Sequence, residues 1–174
     1  MRQNDMVIVV FSLVLLFTSA CISEPGIDKS KFAALNRTTQ DLNASISSSN
    51  PCNLPDTLLQ RLSSEITAVK DKASSTKEHD LITAYSYLLT TCKDGLLLCQ
   101  SRTQFANFEF FPSGRIYVSQ ELDPLVERYD LSVEKHLYEQ TGQYMRSIDG
   151  SSILVIWESA RTQIKNIDYM MKYN

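Results

Sequence analysis

The chain opens with an apolar run that limits what the rest of the sequence can fold into. Residues 6–20 contain no charged side chain, and the small residues Thr18, Ser19 and Ala20 close the run. A short polar start, an apolar stretch and a small-residue processing point are the three parts of a secretory signal. We therefore expect residues 1–20 to be a signal peptide and the remaining chain to fold outside the cytosol.

A cysteine follows this run directly. The tetrad Thr18-Ser19-Ala20-Cys21 resembles the lipobox of prokaryotic lipoproteins, although Thr18 stands where an aliphatic residue is usual. In that family the cysteine thiol receives a diacylglyceryl group, and cleavage leaves the cysteine as the mature N-terminus. The resemblance covers the first 21 residues and implies a lipid anchor on Cys21, which would attach the protein to the outer side of a cell membrane.

Two alternatives to a lipid anchor stay open. An ordinary signal peptide cut near Ala20 would give a secreted protein, and an uncleaved segment would give a single-pass membrane anchor. Residues 6–22 would span about 25 Å as a helix, which is short for a hydrocarbon core of about 30 Å. All three alternatives place residues 22–174 outside the cytosol.

Residues 21–50 have the composition of a polar, flexible tether. Nine of the thirteen residues 38–50 are Ser, Thr, Asn or Gln, and Leu42 and Ile46 are the only large apolar side chains there. So little apolar surface does not offset the entropy lost on ordering, although a short helix around residues 29–35 is compatible with the sequence. Asn36 and Asn43 each begin a glycosylation sequon, a pattern that this composition also produces by chance.

The remaining residues 51–174 are enough for a single domain with its own core. The net charge of −3 is too small to attract nucleic acid, and no cluster of Lys and Arg stands out. We therefore expect no nucleic-acid partner.

Two amphipathic helices begin this domain and predict a helical hairpin. The first carries apolar residues at helical spacing at Leu58, Leu59, Leu62, Ile66 and Val69, and the second does so at Leu81, Tyr85, Leu88, Leu89, Cys92, Leu96 and Cys99. Gly95 interrupts the second stripe, so an alternative is a helix that ends there and a strand over residues 96–99. The continuation of the stripe through Leu96 and Cys99 favours one helix.

The hairpin geometry predicts which cysteines pair. On a continuous helix Cys92 and Cys99 are about 10.5 Å apart along the axis, which exceeds the reach of a disulfide. A turn near Thr76 places Cys52 opposite the region of Cys99, so we predict a Cys52–Cys99 disulfide and a free, buried Cys92. If Gly95 ends the helix, a Cys92–Cys99 bridge becomes feasible instead.

The second half of the sequence predicts strands. Residues 105–111 and 115–118 are rich in aromatic and β-branched side chains and flank a turn at 112–114, which predicts a β-hairpin. Residues 144–148 and the apolar run 153–157 flank a turn at 149–150 and predict a second strand pair.

Two further helices complete the predicted secondary structure. Asp123-Pro124 predicts the start of a helix that continues toward Gly142, and residues 160–173 predict a closing helix. Together the elements indicate an α+β domain, in which a helical hairpin is followed by a small antiparallel sheet with helices on one side.

No stretch carries a motif for a phosphate, a metal or a cofactor, and we expect none of these groups. Cys92 would need a basic neighbour to act as a nucleophile, and neither His79 nor His136 has sequence context that supplies one. The carboxylates that a hydrolase would use are candidates by count only: Glu109, Glu121, Asp123, Glu127, Asp130 and Glu134. The aromatic residues of the predicted hairpin more often form a core than a ligand groove: Phe105, Phe108, Phe110, Phe111 and Tyr117.

Two classes of function stay open. The first is a lipid-anchored, non-catalytic module for binding or assembly at the cell envelope with a protein partner, which predicts an apolar patch beside the sheet. The second is a small exported hydrolase, which predicts a concave site with a histidine or two carboxylates of shifted pKa.

Overall fold

The computed structural model describes residues 26–48, 50–105, 113–138 and 142–173. The predicted signal peptide and Cys21 lie outside this part of the chain. The helices are α1 (Ala33–Ile46), α2 (Asp56–Lys70), α3 (Thr76–Phe105), α4 (Asp123–Arg128) and α5 (Ser152–Tyr173), and the strands are β1 (Arg115–Tyr117), β2 (Glu134–Tyr138) and β3 (Gln143–Asp149). Short 3-10 helices cover Pro51–Asn53 and Gln120–Leu122. The predicted α+β class is confirmed.

The helical hairpin is confirmed as α2 and α3, which pack against each other. Leu62, Leu81 and Leu88, three members of the predicted stripes, are fully buried. At the start of α3 the hydroxyl of Ser75 accepts a hydrogen bond from the amide of Glu78 at 3.2 Å, which satisfies one of the free amides of the first turn.

Helix α3 continues through Gly95 because the glycine makes room for a tryptophan of α5. A Cβ atom at this position would lie 2.7 Å from Cζ2 of Trp157, whose side chain is fully buried. Without a side chain at residue 95, α3 and α5 pack around the indole ring. The strand alternative at residues 96–99 is therefore not adopted.

The Cys52–Cys99 disulfide is confirmed. The Cα atoms of the two residues are 5.6 Å apart, and the bridge joins the segment before α2 to the late part of α3. Cys92 is free and buried, as the hairpin geometry predicts.

The prediction of a flexible tether over residues 21–50 is wrong for most of the segment. Helix α1 packs against α2 and α5, and Phe32, Leu35, Leu42 and Ile46 are fully buried. These side chains recur at helical spacing, and two threonines, at 38 and 39, complete the buried stripe. The average composition of residues 38–50 did not predict this helix, because composition does not show that the polar residues lie mainly on the outer face of α1.

A buried carboxylate fixes the start of the described chain to the α2–α3 turn. Glu78 is 1% exposed, and its carboxylate accepts hydrogen bonds from Lys31 Nζ at 2.9 and 3.0 Å, from the amide of Ser74 at 2.8 Å and from the amide of Asp28 at 3.1 Å. Burial alone would raise the pKa of Glu78, but these hydrogen bonds outweigh it and lower the pKa to about 2.

The sheet has three antiparallel strands in the order β1-β3-β2. Ile116 of β1 lies opposite Ile148 of β3, and both are fully buried in the core shared with the helices. The predicted strands 115–118 and 144–148 therefore match β1 and β3 closely. The first arm of the predicted β-hairpin does not form a strand at Phe105, which ends α3, and residues 106–112 lie outside the described part.

The predicted helix from Asp123 to Gly142 is too long. Helix α4 ends at Arg128, and Asp130 adopts a left-handed conformation with φ of 49°. The amide of Leu131 then bonds to the carbonyl of Val126 at 3.0 Å, and the amide of Asp130 bonds to the carbonyl of Glu127 at 3.3 Å. This pair of bonds is the Schellman arrangement that terminates a helix, and the chain continues into β2.

The predicted strand over residues 153–157 is wrong. These residues form the first turns of α5, with Ile153, Ile156 and Trp157 buried and with Leu154 and Val155 exposed. A short continuous apolar run does not distinguish a strand from a helix by periodicity, and here it continues in helical phase into Ala160 and Ile164. The predicted closing helix over residues 160–173 is confirmed as the rest of α5.

Candidate functional site

The outer face of the sheet holds a cluster of polar side chains, which we call the sheet cluster: Arg115, Glu134, His136 and Ser147. Alternation along the strands explains the grouping, because Ser147 of β3 lies opposite Tyr117 of β1 and opposite Glu134 of β2. Its neighbour in sequence, Ile148, points to the core on the other face. The register therefore brings together residues that are 11 to 32 positions apart.

Ser147 is the centre of the sheet cluster. Its hydroxyl accepts a hydrogen bond from Nε of Arg115 at 3.1 Å and lies 2.9 Å from Nε2 of His136. Arg115 also donates from Nη1 to Oε1 of Glu134 at 3.0 Å, and Oε2 of Glu134 is 3.8 Å from Nε2 of His136. Nη2 of Arg115 is buried and has no hydrogen-bond partner among the described residues.

A serine, a histidine and a glutamate in contact are the residue types of a catalytic triad, but the geometry differs from one. In a triad the carboxylate binds the ring nitrogen opposite the serine, whereas here Glu134 approaches the same Nε2 that faces Ser147. Ser147 is also fully buried, and Arg115 occupies a lone pair of its hydroxyl. The buried Ser147 hydroxyl and the position of Glu134 therefore do not match the geometry of a catalytic triad.

The sheet cluster is not predicted from the sequence. His136 and Glu134 are singled out there separately, and both are assigned to a helix, where they would have different neighbours. Residues 134–138 lie shortly before Gly142, where a short strand could end. The apolar residues at helical spacing from Leu125 onward favoured a helix instead.

The other carboxylates of the sequence analysis do not come together. Asp123 pairs with Arg146 at 2.6 Å, while Glu121, Glu127 and Asp130 are exposed on and around α4. Glu109 lies outside the described residues. Within the described part of the chain, these residues do not provide the paired carboxylates that a glycoside hydrolase uses.

The remaining nucleophile and base candidates are also separated. Burial raises the pKa of the Cys92 thiol to about 12, so the thiolate is disfavoured at neutral pH. His79 is exposed near the start of α3, about three and a half helical turns before Cys92. Of the predicted aromatic set, Tyr117 is half-buried on β1, and the side chains of the phenylalanines at 105, 108, 110 and 111 lie outside the described part.

Two grooves along the helices differ in their ionisable side chains. A groove of about 570 Å³ between α2 and α3 is lined mainly by apolar and neutral polar side chains, with Asp56 and Lys93 as its ionisable residues. A groove of about 640 Å³ between α1 and α5 contains Lys29, Arg37, Asp168 and Lys172. Neither groove brings a histidine together with a carboxylate.

Leu137 and Tyr144 form an exposed apolar pair on two strands of the sheet. They lie opposite each other on β2 and β3, and their side chains are 53% and 68% exposed. This pair is the feature nearest to the apolar patch expected for a binding module.

The described residues contain neither a cluster suited to a metal ion nor a membrane-spanning helix. Among those residues, no group of three or more His, Cys, Asp or Glu side chains is close enough to hold a metal ion. No helix in the described ranges combines the length and apolar character needed to cross a bilayer.

The two predicted glycosylation sites lie on α1 instead of in a loop. Asn43 is exposed and Asn36 is half-buried, while Thr38, which completes the first sequon, is 1% exposed. Glycosylation of these residues stays a prediction.

Comparison with known proteins adds no relative. Protein-family models, curated proteins and solved structures were each compared with this chain, and none gave a significant match.

Proposed function

We propose that this protein is an extracytoplasmic lipoprotein of the cell envelope, anchored to the membrane through a diacylglyceryl group on Cys21, and that its domain is a non-catalytic binding or assembly module. The Cys52–Cys99 disulfide carries the proposal. Disulfides of this kind form and persist in oxidising compartments, which agrees with export by the apolar run at residues 6–20.

The arrangement of the sheet cluster supports a role that is not catalytic. Its serine is buried and bonded to Arg115, and the groove between α2 and α3 has Asp56 and Lys93 as its ionisable residues. An envelope module instead needs a surface for a partner, and the exposed Leu137–Tyr144 pair is one such surface.

Intact mass of the membrane fraction tests the anchor. We expect a chain that begins at Cys21 and carries the added mass of a diacylglyceryl group. A Cys21→Ser variant is the matched control, and it should lose the added mass of the lipid. A released chain without lipid would show a secreted protein, and an uncleaved chain in the membrane would show a single-pass anchor.

An exported hydrolase is the alternative, and the proximity of Ser147, His136 and Glu134 is the observation in its favour. A fluorophosphonate probe, which labels activated serines, distinguishes the two functions. We expect no label on the native protein. Labelling that disappears in a Ser147→Ala variant would overturn the non-catalytic proposal.

A further inference from the structure

One end of the domain lies close in sequence to the proposed lipid anchor, and we call it the anchor-proximal end. It consists of residues 26–31, the segment 70–78 around the α2–α3 turn, and the last turns of α5 at residues 168–173. These segments are in contact: Asp28 and Lys31 bond to Glu78, and Lys29 lines one groove with Asp168 and Lys172.

The distance from Cys21 to the folded domain is short because α1 is part of the core. Ile27 is already buried, with 8% of its surface exposed, and the Lys31–Glu78 ion pair fixes the segment that follows it. The five residues 22–26 reach at most about 20 Å when fully extended. If Cys21 carries a lipid, as proposed above, the anchor-proximal end is held within that distance of the membrane surface.

Lysines are concentrated at this end. Six of the nine lysines of the chain belong to it: Lys29, Lys31, Lys70, Lys72, Lys77 and Lys172. The carboxylates of the same segments are Asp28, Asp71, Glu78 and Asp168, with Asp80 one turn further along α3. Lys31 and Glu78 neutralise each other, and the other five lysines outnumber the remaining carboxylates. The anchor-proximal end is therefore slightly positive, although the net charge of the protein is −3.

Two tyrosines extend the same surface. Tyr169 and Tyr173 are 61% and 62% exposed, and their ring centroids are 4.8 Å apart. Nζ of Lys172 lies 5.1 Å from the centroid of the Tyr173 ring. Amphipathic tyrosine rings beside lysines are typical of surfaces that lie at the level of lipid headgroups.

We propose that the anchor-proximal end docks on anionic phospholipid headgroups. The exposed lysines bind headgroup phosphates, and Tyr169 and Tyr173 lie among the headgroups. The lipid on Cys21 supplies attachment, while docking sets the orientation and directs the disulfide end of the α2–α3 hairpin away from the membrane. The opposite charge of a phospholipid surface and the short reach from Cys21 both favour this occupant over a protein partner at this end.

Lysine footprinting on the full chain tests the docking. The protein is purified from the membranes of a bacterial host and reconstituted into vesicles of phosphatidylcholine, with or without phosphatidylglycerol. The rate of reductive methylation is then measured for each lysine by mass spectrometry. We expect Lys29, Lys72 and Lys172 to react about fivefold more slowly on the anionic vesicles, and Lys93 and Lys135 to react at the same rate on both. High salt should remove the difference.

A charge-reversal pair gives the matched comparison. Lys72→Glu with Lys172→Glu should abolish the slower reaction at Lys29, whereas Lys93→Glu with Lys135→Glu should leave it unchanged. Equal rates for Lys29, Lys72 and Lys172 on vesicles with and without phosphatidylglycerol overturn the docking.

The same preparation separates failure of the docking from failure of the anchor. Intact mass reports whether Cys21 is lipidated, independently of lysine reactivity. A lipidated chain with equal lysine rates contradicts the docking alone. A chain without lipid on Cys21 contradicts the proposed function and removes the distance argument with it.

Discussion

The helical part of the molecule and the three-stranded sheet are stabilised in different ways. The helices are joined by a disulfide, by the insertion of Trp157 beside Gly95, and by the buried carboxylate of Glu78. The sheet has short strands that contribute the Ile116–Ile148 pair to the core and carry the sheet cluster on the outside. Most of the stability should therefore reside in the helical part.

The buried carboxylate of Glu78 and the hydroxyl of Ser147 in the sheet cluster also differ in how completely their surroundings are hydrogen-bonded. Glu78 is a buried charge whose oxygens accept hydrogen bonds from three residues, Asp28, Lys31 and Ser74. Ser147 is a neutral group beside a half-buried histidine, and one nitrogen of the neighbouring Arg115 has no partner among the described residues. Removal of a satisfied buried charge costs more than removal of a neutral hydroxyl.

The disulfide should give the largest effect. Cys52→Ser with Cys99→Ser opens a loop whose ends are 47 residues apart and should lower the free energy of unfolding by about 4 kcal/mol. Urea unfolding measures the difference. A reductant should bring the native protein to the stability of the double variant and leave the variant unchanged, and a reductant effect on the variant would contradict the assignment.

Glu78→Gln should rank second, with a loss of about 3 kcal/mol at neutral pH, because Lys31 is left without its carboxylate. Glu127→Gln, an exposed change of the same type on α4, is the control and should change stability by less than about 0.5 kcal/mol. Thermal or urea unfolding checks both. Equal losses in the two variants would show that the buried pair contributes nothing.

The same variant predicts a pH dependence. The pKa of Glu78 is lowered from its ordinary value of 4.5 to about 2 in the folded state, so the unfolded chain takes up the proton first. Its contribution is complete above pH 4.5 and is lost as the pH falls toward 2. The difference in stability between the native protein and Glu78→Gln should shrink over that range, and a constant difference would contradict the assigned pKa.

Gly95→Ala tests the close approach of α3 and α5. In an open helix this change stabilises by about 1 kcal/mol, but here the new methyl group meets the Trp157 ring and should destabilise by about 2 kcal/mol. In a Trp157→Leu background the cost should decrease, because the indole atoms nearest to residue 95 are gone. Calorimetry of the four proteins measures both effects, and additive changes would contradict the contact.

Ser147→Ala should have the smallest effect, about 1 kcal/mol, because Arg115 and His136 each lose one hydrogen-bond partner. Thr90→Ala, which removes an exposed hydroxyl from α3, is the control. Hydrogen exchange of the β2 and β3 amides should increase in Ser147→Ala alone. A loss as large as that of Glu78→Gln would erase the contrast between the two parts of the molecule.

Long periodic segments were the part of the fold that could be predicted. The stripes at 58–69 and 81–99 extend over several turns, and their phase fixed both the hairpin and the pairing of Cys52 with Cys99. The short apolar run 153–157 was assigned to a strand because five residues do not reveal a period. The helix at Asp123 was extended too far because the left-handed turn at Asp130 is set by local hydrogen bonds that the apolar stripe does not show.

The candidate site could be predicted only in fragments. His136 and Glu134 were singled out as residue types, but their contact with Ser147 depends on the register of β2 and β3. Lys31 and Glu78 are 47 residues apart, and no local pattern connects them. Pairs of this kind form only when distant elements pack.

The sequence by itself determined the α2–α3 hairpin and the disulfide, because each depends on a pattern that is local or repeats along a helix. Tertiary structure decided that residues 33–46 belong to the core, that Gly95 faces a tryptophan and that a serine, a histidine and an arginine meet on the sheet. These outcomes depend on which surface each element finds to cover it. A half-polar helix such as α1 is stable only because Leu35 and Leu42 are buried against its neighbours.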